Sequence, residues 1–100
     1  MAIVELSIVP VGTGTPSISQ YVATAVEALR EETDVKYELT AMGTIIEGDL
    51  DKLLAVVGRM HRAVLAGALR VVTMVKIDDR RDKPLGIQYK VDSVKEKLKH

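Results

Sequence analysis

The apolar residues of this chain switch repeatedly between a spacing of two and a spacing of about 3.6, and the order of the switches leaves few folds open. Residues Ile3–Val11 alternate, with Val4, Leu6 and Ile8 on one face and Ile3, Glu5, Ser7 and Val9 on the other, which predicts a strand with one face in the core. Gly12–Ser17 is a loop, in which Thr15 is placed to cap a helix and Pro16 suits a first helical position. Ile18, Tyr21, Val22, Ala25, Val26 and Leu29 then recur at helical spacing as far as about Glu32. Val35–Met42 alternates again, Gly43 is a turn expected to need a positive φ, and Thr44–Glu47 is a short strand, so this stretch reads as a hairpin, with a turn short enough to allow a bulge.

Asp49 caps a second helix with a stripe of Leu50, Leu53, Leu54, Val57, Met60, His61, Val64 and Leu65, ending near Gly67. Val71–Ile77 is the fourth strand. Beyond the charged turn Asp78–Pro84, Val91–Lys99 carries Val91, Val94 and Leu98 on one side and reads as a short terminal helix. The order β-α-β-β-α-β with a C-terminal helical extension is the split βαβ, or ferredoxin-like, plan of an α+β domain filling residues 1–100. Val, Ile and Leu make up 31 of the 100 residues, enough for one thin core. Two right-handed crossovers put both helices on one face of an antiparallel sheet. The other face is left uncovered, with Ile3, Ser7, Val9, Tyr37 or Thr40, Ile45 or Ile46, and part of Val71–Ile77 on it. A surface of that kind asks for a partner, and a symmetric second copy is the expected one.

Composition removes several function classes. Fourteen Lys and Arg balance fourteen Asp and Glu, which gives no overall electrostatic case for nucleic acid or an anionic membrane and favours self-association. Without cysteine there is no thiolate nucleophile, disulfide, Fe–S cluster or Cys-ligated zinc. No leader or spanning segment is evident, so a cytoplasmic location is expected. The chain has no Phe or Trp, and its Tyr are limited to 21, 37 and 89, which argues against an RNA-binding version of the fold.

The polar candidates fall in four segments, each with a bland alternative. The Gly12–Ser19 loop precedes a helix, where free N–H groups favour an anionic or acceptor-rich group, but it lacks phosphate-loop spacing and turn chemistry alone would explain it. Around Gly43, Met42 offers a soft surface for a flat ring while Thr40 or Thr44 bonds its edge, or else the segment is only a turn. Glu5 and Glu47, on neighbouring strands, could hold a cation or protonated heterocycle, or be solvated or paired with Lys76. His61 reads as a hydrogen-bonded residue at the core edge rather than a catalyst. Asp78–Lys83 balances its own charge as a salt-bridged turn, although Arg80 and Arg81 also suit a neighbouring subunit or an anion. No metal-ligand spacing occurs. His100 is the last residue and carries little information.

Taken together, Ser7-Ile8-Val9-Pro10-Val11-Gly12-Thr13-Gly14-Thr15-Pro16-Ser17-Ile18-Ser19-Gln20-Tyr21-Val22, Tyr37-Glu38-Leu39-Thr40-Ala41-Met42-Gly43-Thr44-Ile45-Ile46-Glu47-Gly48, Met60-His61 and Lys76–Lys83 resemble the small thiamine-binding, YkoF-like proteins of ferredoxin-like fold. The likeness covers nearly the whole chain, with Ala41 standing where proline is expected before Met-Gly-Thr. It implies a non-enzymatic binder of thiamine or its hydroxymethylpyrimidine moiety, needing no cofactor besides that ligand and assembled as a homodimer or homotetramer through open sheet faces. The ligand-binding residues it implies are Ser7, Thr15, Ser17, Thr40, Met42, Gly43, Thr44 and Glu47. Two other readings compete: an oligomeric regulatory domain sensing another metabolite at a subunit boundary, and an enzyme using His61 with Glu47 or Asp78 on a phosphoester held by the Thr13–Ser17 loop.

Overall fold

The computed structural model describes residues 1–83 and 86–98; Pro84, Lys99 and His100, which figure in the expectations above, lie outside them. Seven elements follow one another: β1 (Ala2–Val11), α1 (Ser19–Glu27), β2 (Lys36–Leu39), β3 (Thr44–Gly48), α2 (Leu50–Leu65), β4 (Arg70–Asp79) and α3 (Ile87–Leu98). The four strands form one antiparallel sheet in the order β2-β3-β1-β4, the ferredoxin-like arrangement that the periodicity predicts.

Strand register decides which residues meet the helices. Val4 lies opposite Ile46 and Ile77, Leu6 opposite Thr44 and Val75, and Ile8 opposite Thr73, so these share the face under α1 and α2. Ile46 is therefore a core residue and Ile45, opposite Glu5, belongs to the other face. Tyr37 pairs with Ile46, which puts it on the helix side rather than the open side. Leu29, Leu53, Val56 and Met60 close the core from above. Fully burying side chains of this kind is worth about 1.5–3 kcal/mol each.

The helices depart from expectation in instructive ways. Asp49 caps α2 as expected, its carboxylate accepting from the Lys52 N–H. The buried stripe is Leu53, Val56, Met60 and Val64, whereas Leu54 and Leu65 are exposed, so the face is turned relative to the sequence reading. The N-cap of α1 is Ile18 with no side-chain cap; Thr15 instead accepts from the Ser17 N–H inside the loop, and Pro16 precedes the helix. The helix stops at Glu27, and the chain continues to Glu32 in tighter i→i+3 turns that still bury Leu29.

α3 begins four residues earlier than expected, and it lies over part of the sheet face that the sequence left bare. Ile87, Lys90 and Val91 stand above Ile3, Glu5, Ile45, Lys76 and Asp78. The rest of that face, Val9, Val11, Val72 and Met74, is exposed.

Candidate functional site

The strands flanking the sheet centre are unequal in length, and that inequality makes a pocket. β1 runs for ten residues, but β3 has only five, and their pairing ends at Leu6 opposite Thr44. Beyond it, no strand among the described residues pairs with the edge of β1 from Ser7 to Val9 on that side. The β2–β3 turn and the first turns of α1 close around it to leave a cavity of about 140 Å³.

Its walls are mostly apolar: Ile8, Ile18, Val22, Ala25, Leu39 and Met60. Its polar groups come from the turn and from β1. The Thr40 hydroxyl donates to the Gly43 carbonyl at 2.8 Å and accepts from the N–H groups of Gly43 (3.1 Å) and Met42 (3.3 Å), which fixes the turn. Thr44, 5% exposed, makes no side-chain hydrogen bond to another described residue, so its hydroxyl is available at the pocket. Met42 is 85% exposed and lines both this cavity and a neighbouring hollow with Ser7 and Met74, standing at the entrance.

Gly43 is needed for a reason the sequence did not reveal. Positive φ occurs at Gly12 and Gly14 and not at Gly43. A Cβ at Gly43 would instead lie 2.7 Å from the Leu6 carbonyl oxygen, so glycine lets the turn approach the β1 backbone.

Of the eight expected ligand residues, Ser7, Thr40, Met42, Gly43 and Thr44 come together here. Thr15 and Ser17 stay in their loop, where the Thr15 carbonyl accepts from Thr13 and its hydroxyl from the Ser17 N–H. Glu47 faces the opposite side of the sheet, 8% exposed, where Oε2 accepts from the Ile87 N–H at 2.7 Å and Oε1 lies 4.0 Å from Lys36 Nζ. It anchors the start of α3. Glu5 pairs across the sheet with Lys76 at 3.4 Å. His61 Nδ1 lies 2.6 Å from Thr73 Oγ1 on the helix side, while Glu47 and Asp78 are on the other face, so the proposed acid–base grouping does not assemble.

A family model for thiamine-binding proteins matches residues 4–95. The chain belongs to that family. A UPF0045 protein of Methanothermobacter thermautotrophicus is 52% identical over 100 residues, spanning 98% of this chain and all of the relative. The UPF0045 protein YqgV of Bacillus subtilis is 45% identical, with 98% of each chain covered. Among solved structures, a hypothetical protein of Methanocaldococcus jannaschii superposes with a TM-score of 0.88 at 41% identity, covering 95% of this chain and 96% of its own. A Thermotoga maritima protein, assigned provisionally to thiamine biosynthesis or salvage, shares the fold with a TM-score of 0.76 at 24% identity, covering 93% and 97% of the two chains.

In this family member, the apolar wall from α1 and α2 is the part of the pocket that residue patterns did not single out. Ile18, Val22, Ala25 and Met60 have the spacing of ordinary core residues. The usable signal was the mismatch between a long first strand and a short third one.

Among the described residues no helix is long and apolar enough to cross a membrane, and no group of three or more His, Asp or Glu is arranged to hold a metal ion.

Proposed function

We propose that the protein is a non-enzymatic, cytoplasmic binding protein for thiamine or its hydroxymethylpyrimidine moiety, and that the pyrimidine ring enters the cavity between β1, α1 and the β2–β3 turn. The observation that carries this reading is the cavity itself: about 140 Å³, apolar on its walls, with the free Thr44 hydroxyl on its lining. An apolar cavity of about 150 Å³ is large enough for one six-membered ring. Thr44 would bond the heterocycle's edge and Met42 would cover its face at the mouth. The thiazolium, too large to share that space, would lie outside near Met42. Thr15 and Ser17 serve by shaping the segment that carries Ile18, and Glu47 by holding α3.

Thermal unfolding with thiamine, hydroxymethylpyrimidine and thiamine diphosphate tests the reading. Ligand at about a hundredfold over its dissociation constant adds roughly 2.7 kcal/mol, a shift of several degrees for a domain of this size. The shift should appear with thiamine and the free pyrimidine and vanish in Thr44→Val. No shift with any of the three overturns the ligand assignment.

We further propose that a second copy covers the bare part of the sheet, giving a homodimer or homotetramer. Val9, Val11, Val72 and Met74 form an apolar patch there, and among the described residues no strand pairs with the outer edge of β4. If sedimentation shows an oligomer yet no thiamine compound shifts unfolding, the regulatory-domain reading takes precedence. A monomer at micromolar concentration removes the assembly proposal.

A further inference from the structure

The balanced total charge hides a strong segregation. Residues 80–100 hold seven of the fourteen Lys and Arg but only three of the fourteen Asp and Glu, so this fifth of the chain is net positive by four and the remainder net negative by four. The structure folds much of that positive charge around one concavity. Between the end of β4, the segment after it and the outer side of α3 lies a groove of about 500 Å³, lined by Arg80, Lys83, Tyr89, Lys90, Ser93 and Lys97, with Val94 and the single carboxylate Asp78 completing it. The volume is within the range of about 300–1,000 Å³ typical of small-molecule sites.

The four cations are not equivalent. Arg80 is engaged with both carboxylate oxygens of Asp82, at 2.8 and 2.6 Å, and Lys90 pairs with Asp78. Lys83 and Lys97 have no ion-pair partner among the described residues. Two free ammonium groups beside two tethered cations leave a net positive field in a concave wall, where it is focused rather than dispersed. Tyr89 and Val94 are both exposed in the same groove and supply an aromatic and an aliphatic surface, and the Ser93 hydroxyl projects from the helix between them in sequence. Lysines with no ion-pair partner among the described residues, arranged beside an exposed tyrosine, match a ligand with clustered negative charge at one end and a flat ring at the other.

We propose that this groove is a second binding site, for a ring-bearing diphosphate. Lys83 and Lys97 contact the phosphates, Arg80 and Lys90 add to the field, and Tyr89 stacks on the ring. The site is independent of the ring cavity described above: it adjoins α3 on the opposite side of the sheet and shares no lining residue with that cavity. Two sources would present the same chemistry, a nucleoside diphosphate or a phosphorylated thiazolium compound.

Calorimetric titration of the full chain with inorganic pyrophosphate, ADP, thiamine diphosphate and adenosine separates the parts of the proposal. Pyrophosphate and at least one ring-bearing diphosphate should bind saturably, the latter more tightly, with adenosine silent and all affinities falling as salt rises. Lys83→Ala and Lys97→Ala, both at exposed positions, should each weaken phosphate binding about tenfold, the loss expected for a charge-assisted contact. Tyr89→Ala should cancel the advantage of the ring-bearing compound and leave pyrophosphate unchanged. With the ring cavity disabled by Thr44→Val, whether ADP or thiamine diphosphate is preferred identifies the source. Absence of saturable binding by every phosphate, or affinities unchanged in the Lys83→Ala/Lys97→Ala double variant, overturns the site. Equal binding of pyrophosphate and both ring compounds overturns the role of Tyr89.

Discussion

α2 and α3 lie on opposite faces of the same sheet and are held there by different forces. α2 inserts Leu53, Val56, Met60 and Val64 into the core, each at most 1% exposed, and is capped by its own Asp49. α3 buries no residue; Val94 and Leu98 on its apolar side are 58% and 75% exposed. Besides the partly covered Ile87 and Val91, it is held by two polar attachments, the Glu47 carboxylate at its first N–H and Lys90 on Asp78. Burial stabilises without regard to direction, whereas a carboxylate at a helix start acts at one point. The covered face should therefore set global stability, and the α3 face should open locally at lower cost.

The largest effect expected from this contrast is on the covered face. Leu53→Ala should cost about 2–5 kcal/mol, because the surroundings collapse only partly around the vacated volume. Val94→Ala on α3 should change stability by less than about 0.5 kcal/mol, as for an exposed position. Urea unfolding of the two variants measures both, and comparable losses would mean that α3 is packed as tightly as α2.

Gly43→Ala comes next. The added methyl would stand 2.7 Å from the Leu6 carbonyl, so the turn must move away from β1. Overpacking of this kind costs about 1–3 kcal/mol. Because Thr40 ties the turn to Gly43, the same shift should displace Thr44's neighbours and weaken ligand binding more than stability alone predicts. Denaturant midpoints and ligand titration on one preparation separate the two losses.

What could be read from sequence follows the range of the interactions concerned. The strands, the Asp49 cap and the pocket threonines depend on neighbours in the chain, and they are legible in alternation, capping and turn chemistry. The end of α1 misleads because Leu29 keeps its helical spacing while the backbone tightens: Ala28, Leu29 and Arg30 donate to Ala25, Val26 and Glu27. Turn chemistry suggests a positive φ for Gly43, whereas its constraint comes from Leu6, on a strand that only folding brings near. The role of Glu47 was hidden for the same cause, its partner Ile87 being 40 residues away. Local chemistry identifies residue types suited to a site; pairing lengths decide which of them meet.

Glu47→Gln sharpens the comparison from the α3 side. The amide keeps an oxygen for the Ile87 N–H but loses the charge, both at the helix start and toward Lys36. Interactions of a carboxylate with a helix N-terminus contribute about 0.3–1 kcal/mol. Hydrogen exchange should quicken through α3 while α2 and the central strands keep their protection. Unchanged exchange in α3 would mean that Lys90 and the apolar contacts of Ile87 and Val91 suffice to hold it.

The smallest effect is a pH dependence that belongs to the α2 side. Glu32, in the segment after α1, lies 2.9 Å from Lys52 Nζ and also pairs with Arg59, while Asp34 is 3.6 Å from the same lysine. The hydrogen bond from Lys52 is the main cause holding the Glu32 carboxyl below its ordinary 4.5, opposed by burial and assisted by the charges of Arg59 and Lys52. A carboxyl whose value is depressed by folding contributes stability that is present above its unfolded value and is lost as pH falls through the folded one. Lys52, raised above 10.5 chiefly by its bond to Glu32, contributes in the opposite sense and loses its share as pH climbs through that raised value. Wild type should therefore exceed Glu32→Gln in melting temperature at neutral pH by a small margin, with the margin closing as pH drops below about 4.5. A margin that stays constant across that acid range would show that Glu32 holds the loop to α2 through packing and neutral hydrogen bonds, and that the two faces of the sheet do not differ in kind.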